Sequence, residues 1–261
     1  MENRMLLIAR RHLWKMAAVA LPLSSQYAAA EPAPDTFPAH PPELVREMVI
    51  VAHGNFKRVK ELVDARPALA KAAIDWGFGD WEDALGAASH VGDREIAGYL
   101  IASGARPTLF SAAMLGQLET VKAFLAAQPG AQKIAGPHSI SLLAHAKAGG
   151  KQAEPVFQYL DSLGDAGSPP RPPLAAEEAA ALAGVYTFGS GPNDRIEITA
   201  KGAQLTFVRQ GTTGRGLTHI GDRAFHPAGA SAVRIRFSGS GANTILTVHD
   251  PDVIVTARRV P

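Results

Sequence analysis

Cysteine is absent from this 261-residue chain. A chain without cysteine has no disulfide framework, no cysteine-ligated zinc or iron–sulfur site and no thiol nucleophile. Aromatic residues are few, at 7%, and neither sign of charge dominates, since 26 basic side chains face 24 acidic ones. The hydrophobic share of 46% is ordinary, which excludes a disordered or fibrous chain and indicates a folded protein of about two domains.

The N-terminus lacks a hydrophobic run of membrane-spanning length. Residues 16–23 are apolar but far shorter than the roughly 20 residues of a membrane-spanning helix. They follow four basic side chains and precede Ala28, Ala29 and Ala30, small residues of the kind that fit a signal peptidase cleft. We therefore predict a signal peptide over residues 1–30, cleaved near Ala28 and Ala30, and no stable membrane anchor after its removal.

The paired arginines Arg10 and Arg11 resemble the twin-arginine export motif, with Ala9 where a serine or threonine is usual. We therefore expect export by that route and a periplasmic location. Removing residues 1–30 takes away four basic side chains and one acidic one, which leaves a nearly neutral chain. A nucleic-acid partner, which needs a clustered basic face, is not expected.

Proline divides the remaining chain. Residues 31–42 form a proline-rich linker, and residues 167–173 contain four prolines, which are incompatible with a helix or a central strand. The pattern is helical over residues 43–165 and consists of short strands over residues 182–261, with a linker and a short helix over residues 166–181 between them. We predict an α + β protein whose two classes of structure form separate domains.

The helical region contains an internal repeat anchored on glycine. Counting from Gly92, apolar residues stand at offsets +4, +5, +8 and +9, and three of these four offsets are also apolar after Gly54 and after Gly116. A looser fourth copy includes Gly149 and Gly150. The pattern predicts a helix, a tight glycine turn and a second helix whose apolar face packs against the next repeat.

This unit resembles the ankyrin repeat, whose period is about 33 residues. The match is best over residues 82–105, and about four copies cover residues 43–165. The Thr-Pro and His of the family unit are replaced by Asp83-Ala84 and Gly86 in the best copy. The resemblance implies a helical repeat solenoid whose turns and inner helices bind a partner protein, without catalysis. A generic helical-hairpin repeat is the alternative.

One connection between repeats is rich in aromatic residues. The finger Lys71–Trp81 holds Trp76, Phe78 and Trp81, with Asp80 beside them. Exposed aromatic residues are the usual anchors of a protein interface, so these four are candidate binding residues for another periplasmic protein. The alternative is that the aromatic side chains cover the apolar edge of the first repeats.

Residues 182–261 predict a small antiparallel β-sheet or half-barrel. Eight short apolar or alternating segments are separated by turn residues, among them Gly184–Phe188, Arg195–Thr199 and Gln204–Arg209. The region includes the apolar runs Leu182–Tyr186, Ile196–Ile198 and Leu205–Phe207. The region resembles the lipocalin-like β domain appended to exported β-lactamase-like serine hydrolases, although the Ser-x-x-Lys motif of those hydrolases is missing here. Arg234 and Arg236 share one face of their strand and are candidates for binding an anionic ligand or an acidic patch; a solvated face is the alternative.

Sequence motifs of catalysis are missing. The chain has no His-Glu-x-x-His, Gly-x-Ser-x-Gly or phosphate-binding loop, and its histidines are scattered without metal-ligand spacing. His53 and His90 precede repeat glycines, where we expect them to bond neighbouring backbone. We therefore predict no catalytic residue, no metal and no cofactor, and a non-catalytic protein–protein interaction module. Small-ligand binding by the β domain and an enzyme with a site between the domains are the alternatives.

Overall fold

The computed structural model describes residues 35–209 and 211–260. The chain divides into two compact units, residues 1–39 and residues 40–261. The predicted signal peptide, with Arg10, Arg11, Ala28 and Ala30, lies outside the described residues and stays a prediction. No helix of the described residues is both long and apolar enough to cross a membrane.

Four pairs of short helices make up the first part of the larger unit. They are α1 (Pro42–Val51), α2 (Phe56–Ala65), α3 (Ala84–Val91), α4 (Arg94–Ala102), α5 (Leu109–Met114), α6 (Leu118–Ala127), α7 (Leu142–Ala148) and α8 (Glu154–Ser162). Within each pair the two helices pack together, and α1, α3, α5 and α7 pack one on the next. The layer of these first helices is therefore the inner layer, and α2, α4, α6 and α8 form the outer one.

The sequence specifies these helices at their ends and along one face. The side chain of Asp93 caps α4 by accepting a hydrogen bond from the backbone N–H of Ile96. Gly92 ends α3 at φ 81°, and a Cβ at this position would collide with the carbonyl of Ala148. Ile96 and Leu100, which the repeat pattern assigns to the apolar face, are fully buried. Glycine and the buried face together set the pairing of α3 with α4.

The predicted finger Lys71–Trp81 is part of a small β-hairpin between α2 and α3, and from here the finger means residues 71–83. Strand β1 (Ala73–Asp75) pairs antiparallel with β2 (Trp81–Asp83). At its tip Phe78 has a φ of 62°, between two glycines of positive φ. The side chain of Asp83 then caps α3 by accepting from the N–H of Gly86. The hairpin is thus fixed at its base to the inner helix layer.

The second part is α9 (Ala176–Leu182) followed by a closed antiparallel barrel. Its strands are β3 (Gly184–Thr187), β4 (Arg195–Lys201), β5 (Gln204–Arg209), β6 (Arg215–Gly221), β7 (Ala224–Pro227), β8 (Arg234–Ser238), β9 (Ile245–Asp250) and β10 (Val253–Arg259). Their order round the barrel is β10-β3-β4-β5-β6-β7-β8-β9. Tyr186, Phe225 and Leu246 are fully buried, so side chains fill part of the interior.

Closure of the barrel corrects the predicted open sheet or half-barrel. Strand β10 pairs with β9 along one side and with β3 on the other, through Arg258 opposite Thr187 and Arg259 opposite Tyr186. Pairing of the first strand with the last satisfies backbone groups that an open sheet would leave at its edges. The predicted α + β content is confirmed, with helices in the N-terminal part and strands in the C-terminal part.

The helical part and the barrel share contacts. Phe78 at the fingertip lies edge-on to Phe207 of β5, with ring centroids 5.5 Å apart, and packs against the barrel core. Asp80 of the finger forms a buried ion pair with Arg215 of β6. Residues 40–261 are accordingly a single compact unit. The domain bounds given by the sequence stay a prediction.

Candidate metal centre

The centre is built around one buried carboxylate, that of Glu82. Strand β2 alternates outward and inward side chains, and Glu82 points inward, leaving 1% of the residue exposed. Its Oε2 accepts a hydrogen bond of 2.7 Å from Nε1 of Trp76. Its Oε1 is buried and has no aligned hydrogen-bond donor among the described residues. A buried carboxylate in this state is costly unless a positive charge compensates it.

Three histidines from separate elements surround this carboxylate. His53 follows α1, His90 lies in the last turn of α3, and His138 lies in the 3₁₀ turn Pro137–Ser139. The Nε2 atoms of His53 and His138 lie 3.6 and 3.3 Å from Oε2 of Glu82, and Nε2 of His90 lies 2.9 Å from Oε1. One nitrogen of each ring therefore faces the same carboxylate.

These separations match the ligand set of a single metal ion. The Nε2 atoms of His53 and His90 are 3.1 Å apart, and one ligand atom from each of the four residues lies within 4.8 Å of the other three. Metal–ligand bonds of about 2.0–2.1 Å place neighbouring ligands about 3.3 Å apart in a tetrahedron and about 2.9 Å apart in an octahedron. The four separations given above, 2.9–3.6 Å, cover this range, and the remaining pairs lie within 4.8 Å.

Hydrogen bonds at the far side of two rings set their orientation. Nδ1 of His53 lies 3.0 Å from the carbonyl oxygen of Val49 and 3.1 Å from that of Ile50. Nδ1 of His138 lies 2.7 Å from Oδ2 of Asp80. Because these partners only accept, Nδ1 carries the proton, and in a neutral ring Nε2 then offers a lone pair to the centre.

Asp80 links the centre to the barrel. Its Oδ1 accepts from the backbone N–H of His138 at 2.9 Å, and its Oδ2 accepts from Nδ1 of the same residue and from the guanidinium of Arg215. A Cβ at Gly229 would overlap this carboxylate, so the barrel backbone approaches it as closely as glycine permits. Asp80 is thus the positioning residue for His138.

The electrostatics of the cluster favour charged partners. Burial alone would raise the pKa of Glu82, but the imidazoles of His138 and His90 outweigh burial and lower that pKa to about 2. For His138, burial opposes the charge, but hydrogen bonds to Asp80 and Glu82 raise its pKa to about 9. The cluster without an ion is held together by a proton on His138, at the nitrogen that would bind a metal.

Two residues beside the centre have a left-handed backbone. His138 and Ser139 are consecutive non-glycine residues with φ of 58° and 61°. This left-handed region is unfavourable for both, and it persists where surrounding contacts fix it. Here Asp80 holds the backbone N–H of His138, and the hydroxyl of Ser139 accepts from the N–H of Gly229 at 2.7 Å.

A groove opens beside the centre. It has a volume of about 280 Å³ and lies between the histidine side of the centre and the barrel. Its lining residues are His53, Trp76, His138, Thr213, Gly214, Arg215, Gly216 and Ala228. Glu82 and His90 lie deeper, so a bound ion would be reached from the side of His53 and His138.

The predicted binding residues are dispersed. Trp76 and Asp80 contact the histidine cluster, and Phe78 packs against the barrel, whereas Trp81 is 65% exposed. Arg234 and Arg236 lie on β8 and are absent from the lining of the groove. The residues are thus in four places. Whether a partner binds Trp81 or the two arginines stays a prediction.

The sequence alone does not predict that four residues form one cluster. They are His53, Glu82, His90 and His138. The sequence predicts no metal site because these side chains come from four elements with no ligand spacing between them. One signal was present: His53 and His90 stand one and two residues before Gly54 and Gly92, at equivalent points of neighbouring repeats. Neighbouring repeats stack, so equivalent positions approach each other.

Neither a protein-family model nor a curated protein sequence matches this chain. The assignment of the centre therefore rests on its donor atoms, their distances and their burial.

Proposed function

We propose that this protein binds one divalent transition-metal ion through His53, Glu82, His90 and His138. The observation that carries the proposal is a fully buried carboxylate faced by three imidazole nitrogens, each within 3.6 Å of one of its oxygens. Because Nδ1 of His53 and His138 is already engaged, Nε2 of each ring faces the carboxylate. A bound cation would take the place of the proton on His138 and bind Nε2 of both rings.

The donor set indicates the class of ion. Imidazole nitrogen suits Zn²⁺, Cu²⁺, Ni²⁺, Fe²⁺ and Co²⁺, whereas Mg²⁺ and Ca²⁺ prefer ligands that are all oxygen. Asp80, hydrogen-bonded to the outer nitrogen of His138, supplies the carboxylate–histidine–metal arrangement common in protein metal sites. The groove next to His53 and His138 leaves room for one further, non-protein ligand.

The surrounding fold supports a stack of ankyrin-like repeats as the scaffold of this site. Four helix pairs with stacked inner helices and positive-φ glycines at Gly54, Gly92 and Gly116 agree with that proposal. Export to the periplasm remains our proposal from residues 1–30. In this arrangement the turn after α1 supplies His53, α3 supplies His90, and strand β2 supplies Glu82.

Metal stoichiometry tests the proposed centre directly. We expect the purified chain, stripped with a chelator and dialysed against Zn²⁺ or Co²⁺, to retain one ion per chain by elemental analysis. Co²⁺ should also give visible absorption bands of a nitrogen–oxygen site. Mg²⁺ in excess should leave both results unchanged.

Two substitutions and one control decide which residues bind the ion. His90→Ala and Glu82→Gln remove one ligand each, and Glu82→Gln keeps the acceptor for Trp76. Loss of a direct ligand should weaken binding by more than about 100-fold, because loss of an outer hydrogen-bond partner already costs 10–100-fold. The exposed His249→Ala should bind as the unsubstituted protein does. Equal retention by all three variants would rule out this centre.

A partner protein remains a second candidate function, because Trp81 is a large side chain left 65% exposed on the finger. We expect Trp81→Ala to abolish capture of a specific periplasmic protein while retaining one equivalent of Zn²⁺. Phe124→Ala, which removes another exposed aromatic side chain, is the matched control. Identical capture by both variants would refute a role for Trp81.

A further inference from the structure

We infer that the groove beside the metal centre and the adjoining barrel mouth bind one ligand, a small amphipathic carboxylate. Its anionic head would lie by the ion and Arg215, and its apolar body would enter the barrel mouth. This inference rests on the proposed metal centre, and it adds the class of molecule that the centre receives.

The two spaces are neighbours. The barrel mouth holds a cavity of about 310 Å³, and the groove holds about 280 Å³. Both are lined by Trp76, Thr213 and Arg215, so these residues stand where one space meets the other. The volume of the two together lies within the range of pockets that enclose small organic ligands.

The barrel mouth suits an apolar body. Its wall consists mainly of hydrophobic side chains from the fingertip and from four barrel strands and one connecting loop. They are Phe78, Phe188, Ile196, Phe207, Val248 and Val255. An aliphatic chain placed there would leave water for apolar surface, which is the main source of affinity in such pockets.

Arg215, which lines both spaces, has an unsatisfied donor. Arg215 is 6% exposed, and its Nη2 is used by Asp80 and by the carbonyl oxygen of Ala228. Its Nε is buried and has no hydrogen-bond partner in the part of the chain that the structure describes. A buried N–H without an acceptor is unfavourable, so an incoming acceptor atom would be stabilised there.

The charges near the groove favour an anion. Asp80 forms an ion pair with Arg215, and Glu82 supplies one negative charge against the two positive charges of a bound divalent ion. Arg46 adds another positive charge, because its guanidinium lies over the ring of Trp76 at 5.1 Å and donates to Oγ1 of Thr213 at 3.0 Å. The loaded site thus carries excess positive charge at the groove. A carboxylate is the matching head, since it has one oxygen for the ion and a second for an N–H donor.

Three probe molecules distinguish the contribution of the carboxylate head to binding from that of the apolar body. Octanoate carries both parts, acetate carries the head alone, and octanol carries the body alone. We expect octanoate to shift the visible bands of the Co²⁺-loaded full chain and to bind more tightly than acetate by about tenfold or more. Octanol should leave the bands unchanged, and octanoate should bind far more weakly to the chain stripped of metal.

A matched pair of substitutions tests the barrel mouth. Val255 lines the cavity, whereas Val253 on the same strand is 54% exposed and does not line it. Val255→Phe should fill the cavity and weaken octanoate binding by about tenfold or more, while the response to acetate and the metal content stay unchanged. Val253→Phe should behave as the unsubstituted protein does.

The outcomes distinguish this inference from the proposed metal function. One equivalent of Co²⁺ with bands that octanoate does not move would overturn the inference and leave the metal centre standing. Equal affinity for acetate and octanoate, or equal octanoate binding with and without metal, would overturn it as well. A chain that retains no Co²⁺ would refute both.

Discussion

At the scale of single residues, the main feature is a carboxylate, that of Glu82, buried where water does not solvate it. Glu82 has no access to water, and its compensation comes from imidazoles that can each hold a proton or an ion. Trp76 donates to one oxygen of this carboxylate, so the indole that the sequence marks as a binding candidate also satisfies a buried charge. On the protein surface, glutamate and histidine side chains would be solvated by water and would need no such partners.

His145 differs from His138, because its surroundings favour the neutral ring. It is fully buried in α7, its Nδ1 lies 2.9 Å from the carbonyl oxygen of Ser141, and burial lowers its pKa below the ordinary value. The unfolded chain then takes up this proton first as the pH falls through about 6.5, so folding stability is lost in that range.

We therefore expect the metal-free protein to lose more stability between pH 7.5 and 5.5 than the variant His145→Gln, which has no titrating ring. Urea denaturation at the two pH values, with chelator present, measures the difference. The exposed His249→Gln should follow the unsubstituted protein. A slope unchanged in His145→Gln would contradict a neutral, buried ring.

At the scale of elements, the finger is the part that makes the centre. One short hairpin carries the carboxylate ligand, the indole that binds it, the aspartate that orients His138 and the phenylalanine that reaches the barrel. This one hairpin therefore contacts both the helical part and the barrel. Sequence predicts the finger as a connection rich in aromatic residues, but the inward direction of Glu82 appears only once β1 and β2 are paired.

Elements with local signals were predictable. The glycine turns, the apolar faces of the helices and the positions of the strands follow from spacing along the chain, as Gly92, Ile96 and Leu100 illustrate. Contacts between distant residues have no such signal. The pairing of Arg259 with Tyr186, which closes the barrel, and the approach of His138 to Glu82 depend on tertiary structure alone.

At the scale of the whole molecule, the helical part and the barrel share buried contacts through Phe78 and the Asp80–Arg215 pair. Breaking either contact would expose apolar surface or leave a buried charge unpaired. An ion bound to the native state alone should consequently stabilise both parts, although its four ligands all come from residues before the barrel.

We expect Zn²⁺ at about 100 times its dissociation constant to raise the free energy of unfolding by about 2.7 kcal/mol. Urea denaturation measures this change, and hydrogen exchange should show added protection in β6 as well as in α3. Glu82→Gln should show neither effect. Protection confined to the helices would mean that the two parts unfold independently.

The Asp80–Arg215 pair also determines when, during synthesis and folding, the metal centre can form. Its members are 135 residues apart, so Asp80 stays without its buried cation until β6 has been synthesised and has joined the barrel. The orientation of His138 depends on Asp80, and an ion would therefore be loaded late, into a finished chain. A protein assembled in that order needs its metal in the compartment where it folds, and the Arg10–Arg11 motif resembles the signal of a pathway that exports proteins already folded.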